Sequence, residues 1–278
     1  MTDDGLRERI ERLARAATAD RDEARAAVGQ LLDALESGSV RAAEPTPSGW
    51  IVNAWVKQGL LLAFRYGENE SLSLPPFHFR DRDTLRTQAP SASGRNVRVV
   101  PGGSTVRRGS FLADGVVVMP PAFVNVGAHV GAGTMIDSHA LVGSCAQIGA
   151  RVHLSAAVQV GGVLEPPGAM PVIVEDDAFV GGGCGLYEGT RVGRGAVLAP
   201  GVVLTRAVAL HDLTNERTVV ADGSGALVVP ERAVVVPGSR PAGGDWARAR
   251  GLSLYAPIIV KYRDEHTDAA AALEQALR

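Results

Sequence analysis

Three charged residues in the middle of the chain have side chains suited to proton transfer and anion binding. Asp137 follows M-I, Arg107 lies in V-R-R-G, and Glu188 lies in Y-E-G. A carboxylate can accept a proton from an attacking nucleophile, and a guanidinium can hold a carboxylate by two parallel hydrogen bonds. Position alone also allows plainer roles, since an aspartate can bond its own backbone in a turn. Arg107 and its neighbour Arg108 could likewise be two solvated charges.

The histidines and cysteines are weaker candidates for catalysis or metal binding. His139 or His153 could act as a base, but we expect both rings to be partly buried packing groups. Cys145 needs no covalent role, and we expect Cys184 to be core. A zinc site of the hexapeptide type needs three histidines around one metal ion. The histidines of the repeat region are His129, His139, His153 and His211. No two of them have a five-residue separation, so no metal is predicted.

The composition sets the class of protein. The net charge is −2, with acidic and basic residues mixed, so no field favours nucleic acid or an anionic membrane. The N-terminus lacks the apolar core of a secretory signal, and no run reaches 18 apolar residues. With two cysteines in the chain, a reducing cytoplasm is the expected location.

A repeat of six residues organises the chain from Val100 onward. A large aliphatic residue recurs at every sixth position, and the residue four places later is always Ser, Thr, Ala, Val or Cys. The aliphatic series slips after Val160, across GGVLEPPGAMPVI, and then resumes. Its members are Val100, Val106, Leu112, Val118, Val124, Val130, Ile136, Val142, Ile148, Leu154, then Val174, Val180, Leu186, Val192, Leu198 and Leu204.

Such a period is neither helical nor alternating, and it predicts a triangular coil with three short flat sides. Eighteen residues would make one coil, with coils stacked about 4.8 Å apart and roughly five coils in all. We expect the aliphatic residues to point to the axis and the small residues to fit the corners. Glycines are expected to adopt the turn conformations there, including Gly127, Gly131, Gly143 and Gly149.

The fold class is therefore mainly β, a left-handed parallel β-helix with helical and strand extensions. Residues 1–98 form an N-terminal helical domain, with helices predicted over 3–36 and about 50–65. Residues 99–240 form the β-helix, with a looped-out insertion at about 161–173. Residues 241–278 form a C-terminal extension of one strand, GLSLYAPIIVKY, and a short helix, TDAAAALEQAL. The two extensions are expected to cover the open ends, and flat faces to associate as a trimer.

A β-helix can have a purely structural role, as in ice-binding proteins. Those proteins carry a ladder of threonines on one face, and this sequence has no such ladder. Acyl transfer from coenzyme A is the usual chemistry of trimeric hexapeptide folds. Gly161 and Gly162 suit close approach by a pantetheine arm, and equally suit a simple loop entry.

Several blocks resemble one acyltransferase family. The stretch MIDSHALVGSCAQIGARVHLSAAVQVGGVLEP (135–166) resembles the signature of the tetrahydrodipicolinate N-succinyltransferases of lysine and diaminopimelate synthesis. Further similar blocks are VNAWVKQGLLLAFR (52–65), VRRGSFL (106–112), MPPAFVNVGAHVGAGTMID (119–137) and LSLYAPIIVK (252–261). The resemblance covers about residues 50–265, including segments outside the repeat.

The resemblance implies succinyl transfer from succinyl-CoA, a co-substrate, with no permanently bound cofactor. It implies Asp137 as a catalytic, substrate-binding acid and Arg107 as the ligand of a substrate carboxylate. We assign coenzyme A contacts to Ser155, Gly161, Gly162 and Lys261. The expected partners are the small-molecule substrates and two further copies in a homotrimer.

Residues 183–189, GCGLYEG, depart from the family pattern. The best-known branch has an arginine and then S-E-V-V-E-G, so its first glutamate, the second catalytic acid, is replaced by Gly185. Glu188 matches only the second glutamate and is our candidate for the missing role. The change keeps open an N-acetyltransferase that uses acetyl-CoA on a related amino dicarboxylate. A catalytically silent scaffold is the third alternative.

Overall fold

The computed structural model describes residues 3–47, 49–74, 76–223 and 225–264, so the predicted C-terminal helix lies outside the described residues. Three helices open the chain: α1 (Asp3–Arg15), α2 (Arg21–Ser37) and α3 (Ala54–Tyr66). The predicted amphipathic helices are confirmed. Asp20 caps α2 by accepting a hydrogen bond from the Glu23 amide at 2.8 Å. None of the described helices is long and apolar enough to cross a membrane.

Two hairpins flank α3. The first pairs β1 (Ala43–Thr46) with β2 (Gly49–Val52), and the second pairs β3 (Asn69–Leu74) with β4 (Phe77–Arg82). Two short 3₁₀ turns, Asp83–Leu85 and Pro90–Ala92, lead into the repeat. Sequence patterns do not indicate these hairpins, because their strands are exposed and carry no clean alternation.

The hexapeptide repeat folds as a triangular left-handed β-helix, as predicted. The first side has seven stacked strands and each other side has six. The first side contains β5 (Arg98–Val99), β8 (Val117–Val118), β11 (Met135–Ile136), β14 (His153–Leu154), β17 (Phe179–Val180), β20 (Val197–Leu198) and β25 (Ala233–Pro241). The second contains β6 (Thr105–Val106), β9 (Phe123–Val124), β12 (Leu141–Val142), β15 (Gln159–Val160), β18 (Gly185–Leu186) and β21 (Val203–Leu204). The third contains β7 (Phe111–Leu112), β10 (His129–Val130), β13 (Gln147–Ile148), β16 (Ile173–Val174), β19 (Thr190–Val192) and β24 (Leu227–Val229).

The strand register confirms the 18-residue coil. Val124 pairs with Val142, and Ile136 pairs with Leu154, each 18 residues apart. The aliphatic residue of each pair is 0% exposed, and burying such a side chain is worth about 1.5–3 kcal/mol. The axial core is thus a stack of identical aliphatic positions.

Two segments leave the coil. Val160 pairs with Leu186, a separation of 26, so the predicted insertion adds eight residues. A second insertion is missed by the sequence reading. Val192 pairs with Val229, because residues 205–226 leave the coil and include the hairpin of β22 (Leu210–Asp212) and β23 (Arg217–Val219). The repeat then continues, which makes about six coils, not five.

The prediction that glycines adopt the turn conformations of the coil is only partly confirmed. Gly127 has a φ of +77°, but Gly131, Gly143 and Gly149 do not have positive φ. A Cβ on Gly143 would lie 2.2 Å from the amide nitrogen of Gly162 in the next coil. These glycines permit close stacking of coils, while residues such as His139 take the left-handed turns.

The extensions do not simply cap the ends. The N-terminal helices pack against the third side and against the corner that precedes it, where Val126 and Cys145 join their apolar cluster. The predicted C-terminal strand is β26 (Ser253–Tyr262), which runs antiparallel to β25 and parallel to β22, and the short helix α4 (Asp245–Arg248) connects β25 to it. The extension therefore widens the first side.

Candidate active site

All the predicted site residues except Lys261 lie on two edges of the triangular prism. We define the first edge as the corners between the first and second sides, residues 137–140, 155–158 and their equivalents. The second edge joins the second and third sides at residues 107–110, 161–163, 187–189 and their equivalents. Asp137 and Ser155 are on the first edge, and Arg107, Gly161, Gly162 and Glu188 are on the second.

Asp137 begins its corner directly after β11 and is half-buried. Its Oδ1 accepts a hydrogen bond from the Ser138 amide at 2.7 Å. The turn bond that position alone suggested is therefore present. Among the described residues Oδ2 has no hydrogen-bond partner, so that oxygen is available to a ligand.

A groove of about 420 Å³ lies on the second side next to this corner. Its lining includes the polar residues His139 and Gln159 and the apolar residues Phe123 and Leu141. His139 is exposed, so the expectation that its ring packs between coils is wrong. His153 does pack, with its ring centroid 5.2 Å from that of Phe179 in the next coil.

Arg107 is placed by contacts on both its backbone and its side chain. Gln88 donates from Nε2 to the Arg107 carbonyl at 2.9 Å. The guanidinium lies 6.0 Å from the ring of Phe64, and the side chain is 14% exposed. It forms an ion pair with Asp81 of β4, a residue the sequence reading did not select. Partial burial disfavours the Asp81 carboxylate, but hydrogen bonds from Arg107 and the Arg82 backbone outweigh it and lower its pKa.

Glu188 is exposed and forms an ion pair with Arg206, with Nη1 and Oε1 3.5 Å apart. Beside it, the Tyr187 ring covers two glycines. A Cβ on Gly185 would lie 2.7 Å from the ring, and one on Gly161 would lie 3.1 Å from it. The absence of side chains at these glycines leaves the space that the ring occupies.

Gly161 and Gly162 begin the first insertion, which is held at its far end by a buried lysine. Lys57 of α3 is 0% exposed and donates from Nζ to the Ala169 carbonyl at 2.6 Å. Burial lowers its pKa, and nearby Cys145 and Glu188 oppose that shift. A lysine within the apolar run of α3 was the signal that could have singled it out.

Ser155 lies one coil beyond Asp137 on the first edge, where the Leu154 carbonyl accepts from the Asp137 amide at 2.9 Å. Lys261 is on β26, paired with Val234 of β25. It is therefore four strands from β14 along the first side, about 19 Å at normal strand spacing.

Both cysteines are free and buried. Burial raises the pKa of Cys145 to about 12 and that of Cys184 to about 11. Cys184 donates to the Ala199 carbonyl at 3.1 Å within the corner, as expected for a core thiol. Neither is a thiolate nucleophile at neutral pH.

One chain brings Asp137 and Ser155 together on adjacent coils, and likewise Gly161 and Glu188, but it does not bring these groups together with Arg107. Arg107 and Glu188 share an edge but are four coils apart, about 19 Å. Asp137 is separated from Arg107 by two coils, about 10 Å, and by one whole side of the triangle. A substrate that contacts both Asp137 and Arg107 would need a second copy of the chain to supply one of them.

Comparison with known proteins identifies the family of this chain. Residues 6–66 match the family model described as tetrahydrodipicolinate N-succinyltransferase N-terminal, and residues 171–206 match the hexapeptide repeat of succinyl-transferase. A 2,3,4,5-tetrahydropyridine-2,6-dicarboxylate N-succinyltransferase of Idiomarina loihiensis is 41% identical, covering 94% of this chain and 92% of the relative. The chain belongs to the tetrahydrodipicolinate N-succinyltransferase family.

Other relatives are similar to the same extent. Proteins of the same name from Ralstonia nicotianae and Bordetella petrii are each 41% identical, covering 92% of this chain and 90% of the relative. Among solved structures, a putative 2,3,4,5-tetrahydropyridine-2-carboxylate N-succinyltransferase from Campylobacter jejuni is 14% identical, with a TM-score of 0.42, covering 83% of this chain and 62% of that one. That likeness is too distant to bear on function.

In the tetrahydrodipicolinate N-succinyltransferase family pattern a glutamate is expected where this chain has Gly185, which lies against the Tyr187 ring. The ring occupies the space over Gly185, and a side chain at 185 would displace it. Glu188 lies one residue beyond Tyr187, so an acid is still present at this level of the second edge.

Proposed function

We propose that this chain transfers the succinyl group of succinyl-CoA to the amine of ring-opened tetrahydropyridine-2,6-dicarboxylate, in lysine and diaminopimelate biosynthesis. The observation that carries this proposal is the 41% identity to relatives of that name over 94% of the chain. A match to hexapeptides alone would fit many acyltransferases, whereas this one also includes the N-terminal helices.

The reaction needs a neutral amine, and a free aliphatic amine has a pKa of about 10. Asp137 would accept a proton from the amine as its nitrogen attacks the thioester carbonyl. The tetrahedral intermediate then expels the coenzyme A thiolate, which takes up that proton, and the amide remains. The open Oδ2 of Asp137 supports this role. Arg107 would bind one substrate carboxylate, and Glu188 would be the second acid.

Coenzyme A would lie along the edges of the prism as a co-substrate, with no permanently bound cofactor. Gly161 and Gly162 would let the pantetheine arm approach the backbone, Ser155 would bond to it, and Lys261 would bind a phosphate. The half-buried position of Ser155 and the four-strand offset of Lys261 are compatible with an extended ligand.

We also propose a homotrimer in the cytoplasm. Asp137 and Arg107 are on different edges of one chain, so a closed ring of copies would bring unlike edges together. The two buried free thiols suit a reducing compartment.

An acetyl-CoA-dependent reaction is the second candidate. It is favoured by the loss of the family arginine and glutamate at 183–185, since the arginine is suited to neutralise a succinyl carboxylate. Arg206, paired with Glu188 nearby, is a cation that could compensate.

A thiol-release assay separates the candidates. Succinyl-CoA and acetyl-CoA are each tested with and without tetrahydropyridine-2,6-dicarboxylate. We expect thiol release only with the dicarboxylate, and a higher kcat/KM for succinyl-CoA. A higher kcat/KM for acetyl-CoA would establish the second candidate, and no dicarboxylate-dependent release with either donor would leave a silent scaffold.

A further inference from the structure

The guanidinium of Arg107 is held ready for a carboxylate. Its backbone is held by Gln88, whose Nε2 donates to the Arg107 carbonyl at 2.9 Å and whose amide donates to the Val106 carbonyl at 2.8 Å. Its side chain lies over Phe64 and is only 14% exposed. A cation placed this way loses little side-chain freedom on binding an anion.

In this structure the anion is an internal one, Asp81. The contact joins Nη2 of Arg107 to Oδ2 of Asp81 alone. The other carboxylate oxygen, Oδ1, accepts from the Arg82 amide at 2.8 Å. Asp81 therefore uses one prong of a guanidinium that can bind two oxygens in parallel.

The surroundings make this pair replaceable. The Asp81 side chain is 53% exposed, and exposed ion pairs contribute little to stability. The base of its hairpin has a separate anchor, because Asp83 pairs with Arg25 at 2.5 Å and accepts from the Glu68 amide at 2.8 Å. Release of Asp81 would leave that anchor intact.

We infer that Asp81 is an internal competitor for the substrate carboxylate, occupying Arg107 until a carboxylate of the amine substrate displaces it. The inference rests on the proposed function, which makes Arg107 a substrate-binding residue. A bidentate ligand displaces a monodentate one because it fills both prongs of the guanidinium. Asp81 thus sets the affinity for the dicarboxylate without touching it.

The test compares Asp81→Asn with wild type. Asparagine keeps the shape of the side chain but removes its charge, so the KM for tetrahydropyridine-2,6-dicarboxylate should fall about two- to fivefold, the worth of an exposed pair. The kcat and the KM for succinyl-CoA should stay unchanged. Glu70→Gln is the matched control, since Glu70 is on the partner strand β3 and pairs with Arg86 instead; its kinetics should equal wild type.

Direct binding provides a second readout free of turnover. Titration calorimetry with pyridine-2,6-dicarboxylate, a stable ring dicarboxylate, should show the same tightening in Asp81→Asn. An unchanged or raised KM and Kd in Asp81→Asn would overturn the inference, a raised value marking Asp81 as a support of Arg107. Equal tightening in Glu70→Gln would also overturn it, as a general charge effect. A wild-type protein with no dicarboxylate-dependent thiol release would instead overturn the proposed function, and this inference with it.

Discussion

At the scale of single residues, Asp137 and His129 differ in their surroundings. Asp137 keeps one oxygen for its own turn and exposes the other to a ligand. His129 is the opposite case. Its ring stacks on Phe111 with centroids 4.6 Å apart, and its Nδ1 is buried with no hydrogen-bond partner among the described residues. Asp137 therefore offers an oxygen to a ligand, whereas burial lowers the pKa of His129 to about 3 and keeps its ring neutral.

Asp137→Asn should lower kcat about 10²- to 10⁴-fold, because asparagine keeps the shape but cannot accept a proton. Coenzyme A affinity should not change. Steady-state kinetics at saturating dicarboxylate and a separate coenzyme A titration provide the measurements. Glu188→Gln is the companion variant, and a similar, non-additive loss would identify Glu188 as the second acid. Retention of most of the kcat in Asp137→Asn would make His139 the next candidate base.

His129 should make stability depend on pH. Burial, with a smaller effect of Arg41, lowers its pKa to about 3, whereas the unfolded ring titrates near 6.5. As the pH falls below about 6.5 the unfolded state takes up the proton first, so stability is lost down to about pH 3, by up to about 1.4 kcal/mol per pH unit. Urea unfolding of wild type and His129→Phe at pH 7.5 and 5.5, at one protein concentration, measures this. The expected result is a smaller pH effect in His129→Phe, and equal pH effects would contradict it.

At the scale of elements, the first insertion is supported from outside the coil. Lys57 of α3 reaches the Ala169 carbonyl, which ties the helical domain to the segment that begins at Gly161 and Gly162. A fully buried ammonium bonded to one carbonyl is costly, since burial disfavours its charge. We interpret Lys57 as a positioning residue for the segment that begins at Gly161 and Gly162.

Lys57→Met should loosen this insertion, because the methionine fills the space but cannot donate to Ala169. Amide hydrogen exchange over residues 161–173 should become faster, and the KM for succinyl-CoA should rise several-fold while that for the dicarboxylate stays constant. Lys57→Arg, which retains a donor, should restore part of both properties. Unchanged exchange in Lys57→Met would remove the positioning role.

At the scale of the whole molecule, the two edges of one prism cannot both serve one small substrate. The proposed trimer resolves this by pairing the first edge of one copy with the second edge of its neighbour. The groove beside His139 would then be closed by the neighbouring copy. The assembly and the active site are, in this proposal, one feature.

Subunit mixing tests the shared site. Arg107→Lys and Asp137→Asn proteins, each of which we expect to have low activity, are dissociated, combined in equal amounts and reassembled. If each site takes Arg107 from one copy and Asp137 from the next, about a quarter of the sites regain both residues, with activity to match. Reassembly of each variant alone is the control. A stable and fully active monomer in light scattering, or no gain on mixing, would contradict a site between subunits.

The amino-acid sequence by itself determined the β-helix, since each coil repeats the same local demand. An aliphatic residue at every sixth position stacks on its equivalent 18 residues away, so Val124, Val142 and Val160 follow from the period alone. The helices over 3–36 and the strand GLSLYAPIIVKY were likewise readable from local patterns. Periodic burial is visible in the sequence because every hexapeptide repeats the same buried aliphatic position.

Only the tertiary structure decided which side chains meet across elements. Arg107 and Asp81 are 26 residues apart, and Lys57 and Ala169 are 112 apart, and neither pair belongs to a repeating pattern. The exposed hairpins and the second insertion carry no periodicity, so their placement depends on long-range packing. The division of the site residues between two edges is of the same kind. It depends on where the coil turns, because the turns set the direction in which each side chain faces. Sequence motifs alone do not specify that direction.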